Sequence, residues 1–170
     1  MDSPRAVLTL GEFGWAPVAA LLRRYGLDLE RVPAGAPIPG SYWGEPEAGI
    51  IGSRVYARDD TPMHSLLHES CHLIVLPPER RARVHTDATD SVAEEDAVCV
   101  LQVLLAEALG VGRDHACADL DAWGYTFRLG SARAYVEQDA QEAFAWLRAH
   151  GLVDARNGLV VPAAQEGAEA

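Results

Sequence analysis

Hydrophobic and polar positions alternate along this chain with several distinct periods. Residues 15–25 place Trp15, Val18, Ala19, Leu22 and Tyr25 on one face at helical spacing, and Gly26 follows as a stop. Residues 27–32 alternate apolar and charged side chains, which predicts a strand. Residues 33–40 hold three prolines and two glycines, a loop. Two strands are expected next, over 41–43 and 48–58, joined at Gly44-Glu-Pro-Glu. Ile50, Ile51, Val55 and Tyr56 supply β-branched and aromatic content to the second. The period then turns helical. Residues 61–76 form a helix expected to start with Thr61 as N-cap and Pro62 in its first turn, and to stop at Pro77-Pro78. A polar, Arg-rich loop covers 78–90. Three further helices are expected over 91–109, closed by Gly110, then 114–127 and 131–150. Residues 6–10 suit a short strand or the lead-in to a helix.

Together these elements predict one α+β domain over residues 1–162. A small N-terminal sheet with a helix precedes a central helix, C-terminal helices follow, and 163–170 form a disordered tail. A chain of 170 residues is long enough to bury a substantial core.

Charge removes some functions from consideration. The formal net charge of −11 repels phosphate backbones, so nucleic acid is not an expected partner despite the cluster Arg80, Arg81 and Arg83. Every one of the 14 basic residues is Arg, which excludes Schiff-base lysine chemistry and a P-loop lysine. Cys71, Cys99 and Cys117 lie in apolar helical patterns and read as reduced, buried thiols. With neither a leader pattern nor a long apolar run in view, the expectation is a soluble, cytoplasmic protein without a membrane partner.

The candidate chemistry sits in the central helix. His68-Glu-Ser-Cys-His72 matches H-E-x-x-H. Residues four apart stack on one helical face, so His68 and His72 can offer imidazole nitrogens to a single zinc ion. Glu69 points aside, where it can act as general base on a zinc-bound water. His64, His68 and His72 form one stripe of the helix, beside an apolar stripe of Met63, Leu67, Cys71 and Ile74. A third protein ligand is needed, and the carboxylates of Ser91-Val-Ala-Glu94-Glu95-Asp96 supply candidates. Glu94 is the first choice and Glu95 and Asp96 the alternatives, although Ser91-x-x-Glu94 also matches a capping box in which Glu94 serves only the helix start.

These residues, His68-Glu-Ser-Cys-His72 followed by Glu94-Glu-Asp-Ala-Val-Cys-Val-Leu-Gln-Val-Leu-Leu105, resemble the ImmA/IrrE-type zincin peptidases, a minimal gluzincin fold. The resemblance extends to the order of elements from about residue 15 to 109. It implies a zincin-like fold, a Zn²⁺ cofactor, and Glu94 as third ligand, three residues before the small residue Ala97. It also implies a peptide or protein substrate. The chain departs from the family pattern at Val98 and at Ala106-Glu107.

The expectation is therefore a zinc metallohydrolase of peptidase type, with His68, His72 and Glu94 on the metal and Glu69 as base. The rival is a catalytically silent zinc-binding regulatory or interaction protein. His64 can support a ligand from behind, act as a transition-state donor or be a solvated residue at the helix start, the last two being preferred to a ligand role, and Tyr56, His85 and Tyr125 are candidates to stabilise an oxyanion. The strand before the central helix is expected at the sheet edge, where an extended peptide could add to it.

Overall fold

The computed structural model describes residues 7–41, 44, 46–86, 91–123 and 132–163. Expectations for Tyr42, Trp43, Tyr125, residues 87–90, 124–131 and 164–170 fall outside the described residues. The architecture is α+β. Its order is α1 (Leu10–Phe13), α2 (Trp15–Arg24), β1 (Asp28–Arg31), β2 (Gly49–Ile51), β3 (Arg54–Ala57), α3 (Met63–Ile74), α4 (Pro78–Arg81), α5 (Val92–Ala108), α6 (Arg113–Trp123), α7 (Ala132–Ala134) and α8 (Gln141–Ala149). No helix among the described residues is long and apolar enough to cross a membrane.

The sheet runs in the order β1-β3-β2, with β1 parallel and β2 antiparallel to β3. The single strand expected over 48–58 is instead a hairpin, because Gly52 adopts φ 59° and, with Ser53, makes a two-residue turn. The expected sheet edge is also corrected: β3, the strand leading into α3, is the middle strand. The outer side of β2 is met by the chain itself. Ile50 N donates to Gly40 O at 3.3 Å, while Gly52 N donates to Val84 O and Thr86 N to Ile50 O, both at 2.9 Å. Gly49 permits the first of these approaches, since a Cβ there would stand 1.9 Å from Pro39 O. An incoming peptide would have to displace these pairings to use that edge.

α3 packs against β2 and β3 of the sheet and against α5 and α6. Leu66, Cys71 and Leu73 are fully buried on it, facing Leu101 and Leu105 of α5 in one core cluster. Truncating such a leucine to Ala costs about 2–5 kcal/mol. The helix starts one residue later than expected and without a side-chain cap, after Pro62. Thr61 does other work: its Oγ1 accepts from Arg58 N at 2.9 Å and closes the turn out of β3. Residues 8–10 run alongside, with Met63 N donating to Leu8 O and Leu10 N to Thr61 O.

The far end of α3 comes before Pro77-Pro78, as the proline pair predicts. Carbonyls at this end accept from Arg81, whose Nε donates to Leu73 O at 2.6 Å and Leu76 O at 3.1 Å while Nη1 donates to Tyr25 O at 2.8 Å. The arginine cluster read from the sequence is thus divided between structural tasks. The helix expected over 131–150 is broken: α7 passes into a π-helical turn, Tyr135–Asp139, and Ala140 with ψ 18° separates it from α8.

Candidate metal centre

Ten of the twelve residues of α3 are buried, and the two that reach toward solvent are Glu69 and His72. A helix buried almost all round thus opens at the H-E-x-x-H pattern. The i, i+4 stacking brings the imidazoles together edge to face, with ring centres 4.7 Å apart and planes at 85°. Their Nε2 atoms are 3.1 Å apart. α5 packs across this point and delivers a carboxylate: Glu95 Oε1 lies 3.1 Å from His68 Nε2 and Oε2 lies 3.4 Å from His72 Nε2.

These separations can be tested against a metal site. With bonds of about 2.0–2.1 Å, ligand atoms on a tetrahedral zinc stand about 3.3–3.4 Å apart. The two Nε2 atoms, 3.1 Å apart, and Oε1, 3.1 Å from His68 Nε2, come close to that spacing, while the contact on the His72 side is to the other oxygen, Oε2, at 3.4 Å. The chemistry of the donor set agrees, since two imidazole lone pairs and a carboxylate turned to one point call for a cation, whether protons or a metal. Among the described residues, His68, His72 and Glu95 form the group whose ligand atoms all lie within 4.8 Å of one another. His68 is nearly buried, His72 has a side-chain exposure of 12%, and Glu95 at 46% forms the solvent side.

The carboxylate that meets the imidazoles is therefore Glu95, where the sequence pointed first to Glu94. Consecutive helical residues point about 100° apart, so only one of the pair can face α3. Glu94 turns the other way and is buried, its Oε1 accepting from Arg80 Nη1 at 2.7 Å. The capping reading of Ser91 holds, because its Oγ accepts from Glu94 N at 3.4 Å. Asp96, the other alternative, is exposed.

The field around the cluster is set by these partners. Glu95 is held below the usual carboxylate range, chiefly by the hydrogen bond from His68 and also by the charge of His72. Burial pushes His68 down, but the Glu95 hydrogen bond, the charges of Glu69 and Glu95 and the contact with Gln102 together raise it. Glu69, the neighbour of His68 in α3, adds its negative charge to that field.

Sequence reasoning missed Gln102. Its Oε1 lies 2.9 Å from His68 Nδ1, and its Nε2 donates to His64 O at 3.0 Å. The signal was available: Gln102 is the one polar residue in the apolar run from Ala97 to Leu105, seven positions after Glu95 and so on the same helical face.

His64 is not solvated. It is 4% exposed and lines a small cavity with Met63, Leu67, Gln102, Val111 and Asp119. Burial, and secondarily the neighbouring His68, lower its pKa to about 4. Tyr56 lies on β3 two residues after Arg54, while His85 is exposed with Nδ1 2.9 Å from Thr86 Oγ1. Neither is among the residues that form the cluster, and Tyr125 lies outside the described residues. All three cysteines are free, with burial raising the thiols of Cys99 to about 12 and Cys117 to about 11.

Compared with protein-family models, with curated proteins and with solved structures, the chain has no match.

Proposed function

We propose that this protein is a zinc-dependent metallohydrolase with a zincin-like site, acting on a peptide or protein substrate. The observation that carries the reading is the convergence of two Nε2 atoms and the Glu95 carboxylate at 3.1–3.4 Å, at the one opening of an otherwise buried helix. His68, His72 and Glu95 would hold the ion, three protein ligands being the number that leaves a position for chemistry. When bound, zinc supplies Lewis acidity, polarising a carbonyl oxygen and making a water acidic near neutral pH.

The remaining work belongs to the chain's own groups. Glu69 takes the proton of the attacking water on its carboxylate and returns it to the leaving amine. Its position at the solvent opening, beside buried His68, lets it reach a substrate that enters there. Glu95 keeps its negative charge at neutral pH and offsets that of the ion. On the buried side of the cluster α5 supplies Gln102, 2% exposed, against His68 Nδ1.

The test joins metal content to turnover. Purified protein should carry stoichiometric zinc by elemental analysis. Glu95→Ala should lose much of it, and Glu94→Ala should keep it. A quenched fluorescent peptide library should be cleaved by the wild type and spared by Glu69→Gln, whose zinc remains. Zinc bound with no cleavage in either protein would favour the regulatory reading. Zinc absent from the wild type would remove the metal centre altogether.

A further inference from the structure

Gln102 is 2% exposed in the core face of α5, and both ends of its amide are engaged by α3. The two ends constrain each other. His64 O is a carbonyl and can only accept, so the amide nitrogen must face it, as it does at 3.0 Å. That leaves Oε1 against His68 Nδ1 at 2.9 Å, and Oε1 also can only accept. The hydrogen between them must therefore belong to Nδ1. Turning the amide over would set two acceptor oxygens against each other at the His64 carbonyl. The backbone of α3 thereby dictates, through one side chain of α5, that Nδ1 of His68 carries a proton; Nε2, which faces Glu95 and His72, carries one as well only when the ring is cationic.

We propose that Gln102 is a positioning residue that locks His68 in its Nδ1–H tautomer, so that the Nε2 lone pair is presented to the metal alongside His72 and Glu95. This inference rests on the metal-centre reading above. The arrangement has an economy of origin: Glu95 and Gln102 stand two turns apart on one face of α5. The helix that brings the third ligand thus also orients the first. The helix-borne reference is rigid, because the His64 carbonyl stands one turn before His68 in the same helix. An imidazole held in this way keeps both its tautomer and its ring direction.

Two measurements test it, using Gln102→Met, which keeps the length and removes both hydrogen bonds, and Gln102→Glu, which keeps an acceptor for Nδ1–H whether or not it is ionised. Zinc affinity is read by competition with a chromogenic chelator. The His68 tautomer in metal-free protein is read from long-range ¹H–¹⁵N correlations at mildly basic pH. Gln102→Met should weaken zinc binding about 10–100-fold and lose the Nδ1–H pattern, while Gln102→Glu, which gives up the donor to the His64 carbonyl when ionised, keeps the Nδ1–H pattern. Unchanged affinity and tautomer in Gln102→Met would overturn the proposal. So would an equal loss of that pattern in both variants, which would make the amide a packing element only. Should Gln102→Met fail to fold, an Nε2–H His68 in the wild type would overturn it by itself. A wild type that binds no zinc would refute the metal-centre reading, and the tautomer spectrum would still decide the role of Gln102.

Discussion

His64 and His68 stand one turn apart on the same helix, both nearly buried, at 4% and 7% exposure. Burial lowers the proton affinity of each, yet they end on opposite sides of the ordinary value. His64 falls to about 4, while His68 is raised. The difference lies in what α5 and the helix opening bring to each ring. His68 meets the Glu95 carboxylate, the field of Glu69 and the Gln102 amide. His64 faces a cavity walled largely by Met63, Leu67, Ala106 and Val111, with Asp119 at its margin engaged by His115 Nε2 at 3.2 Å. The comparison teaches that a histidine stripe on a helix does not by itself make a donor cluster. The carboxylate brought by the second helix does.

The strongest way to break the comparison is by metal content. His68→Ala should abolish stoichiometric zinc and His64→Ala should keep it, as measured by elemental analysis of protein purified without added metal. Equal loss in both would make the stripe, and not the cluster, the binding unit.

Next in size is the proposed general base. Glu69→Gln should lower peptide turnover about 10²–10⁴-fold with zinc retained. Retained turnover would leave the cluster a metal site without the proposed chemistry.

Acid titration separates the two histidines by sign. The depressed pKa of His64 means that the unfolded chain binds its proton first as pH falls. Stability is therefore lost between pH ~6.5 and ~4, by about 3 kcal/mol in all. His68 in the metal-free protein acts oppositely: its contribution is present below about pH 6.5 and is lost as pH rises through its raised value. Thermal melts of metal-free wild type and His64→Leu against pH should show the acid-side loss only in the former. Parallel curves would mean that His64 does not carry the penalty.

The smallest effect contrasts the adjacent carboxylates. Glu94→Gln, which weakens the pair with half-exposed Arg80, should cost about 1 kcal/mol in chemical denaturation and leave zinc unchanged. Loss of zinc there would return Glu94 to the ligand set.

Much of this was legible along the chain. α2, α3 and α5 follow from apolar spacing, with Gly26, Pro77-Pro78 and Gly110 marking where they end. Ser91 as a cap was also readable. What could not be read is rotational. Glu94 and Glu95 are equal in chemistry, and the choice between them is made by how α5 rolls against α3, a property of the packed pair and of neither segment alone. The hairpin at Gly52-Ser53 was hidden because Ile50, Ile51, Val55 and Tyr56 read as one β-rich run. The break at Ala140 has no Gly or Pro to announce it, since tertiary packing overrides a residue of high helix propensity. His64 was read as solvated because it opens a helix, where exposure is common. Here residues 8–10 and the cavity walls cover that start.

The distribution of the cluster over two helices has a mechanical consequence. A metal shared by His68 and Glu95 would cross-link α3 to α5 and close a loop of about 28 residues, worth about 3.5 kcal/mol if treated as a disulfide of equal span. The three cysteines supply no such clasp, all being free. An ion there would serve as a removable staple for the joint around which the core is built. The lifetime of the folded chain would then follow the supply of zinc as well as the temperature.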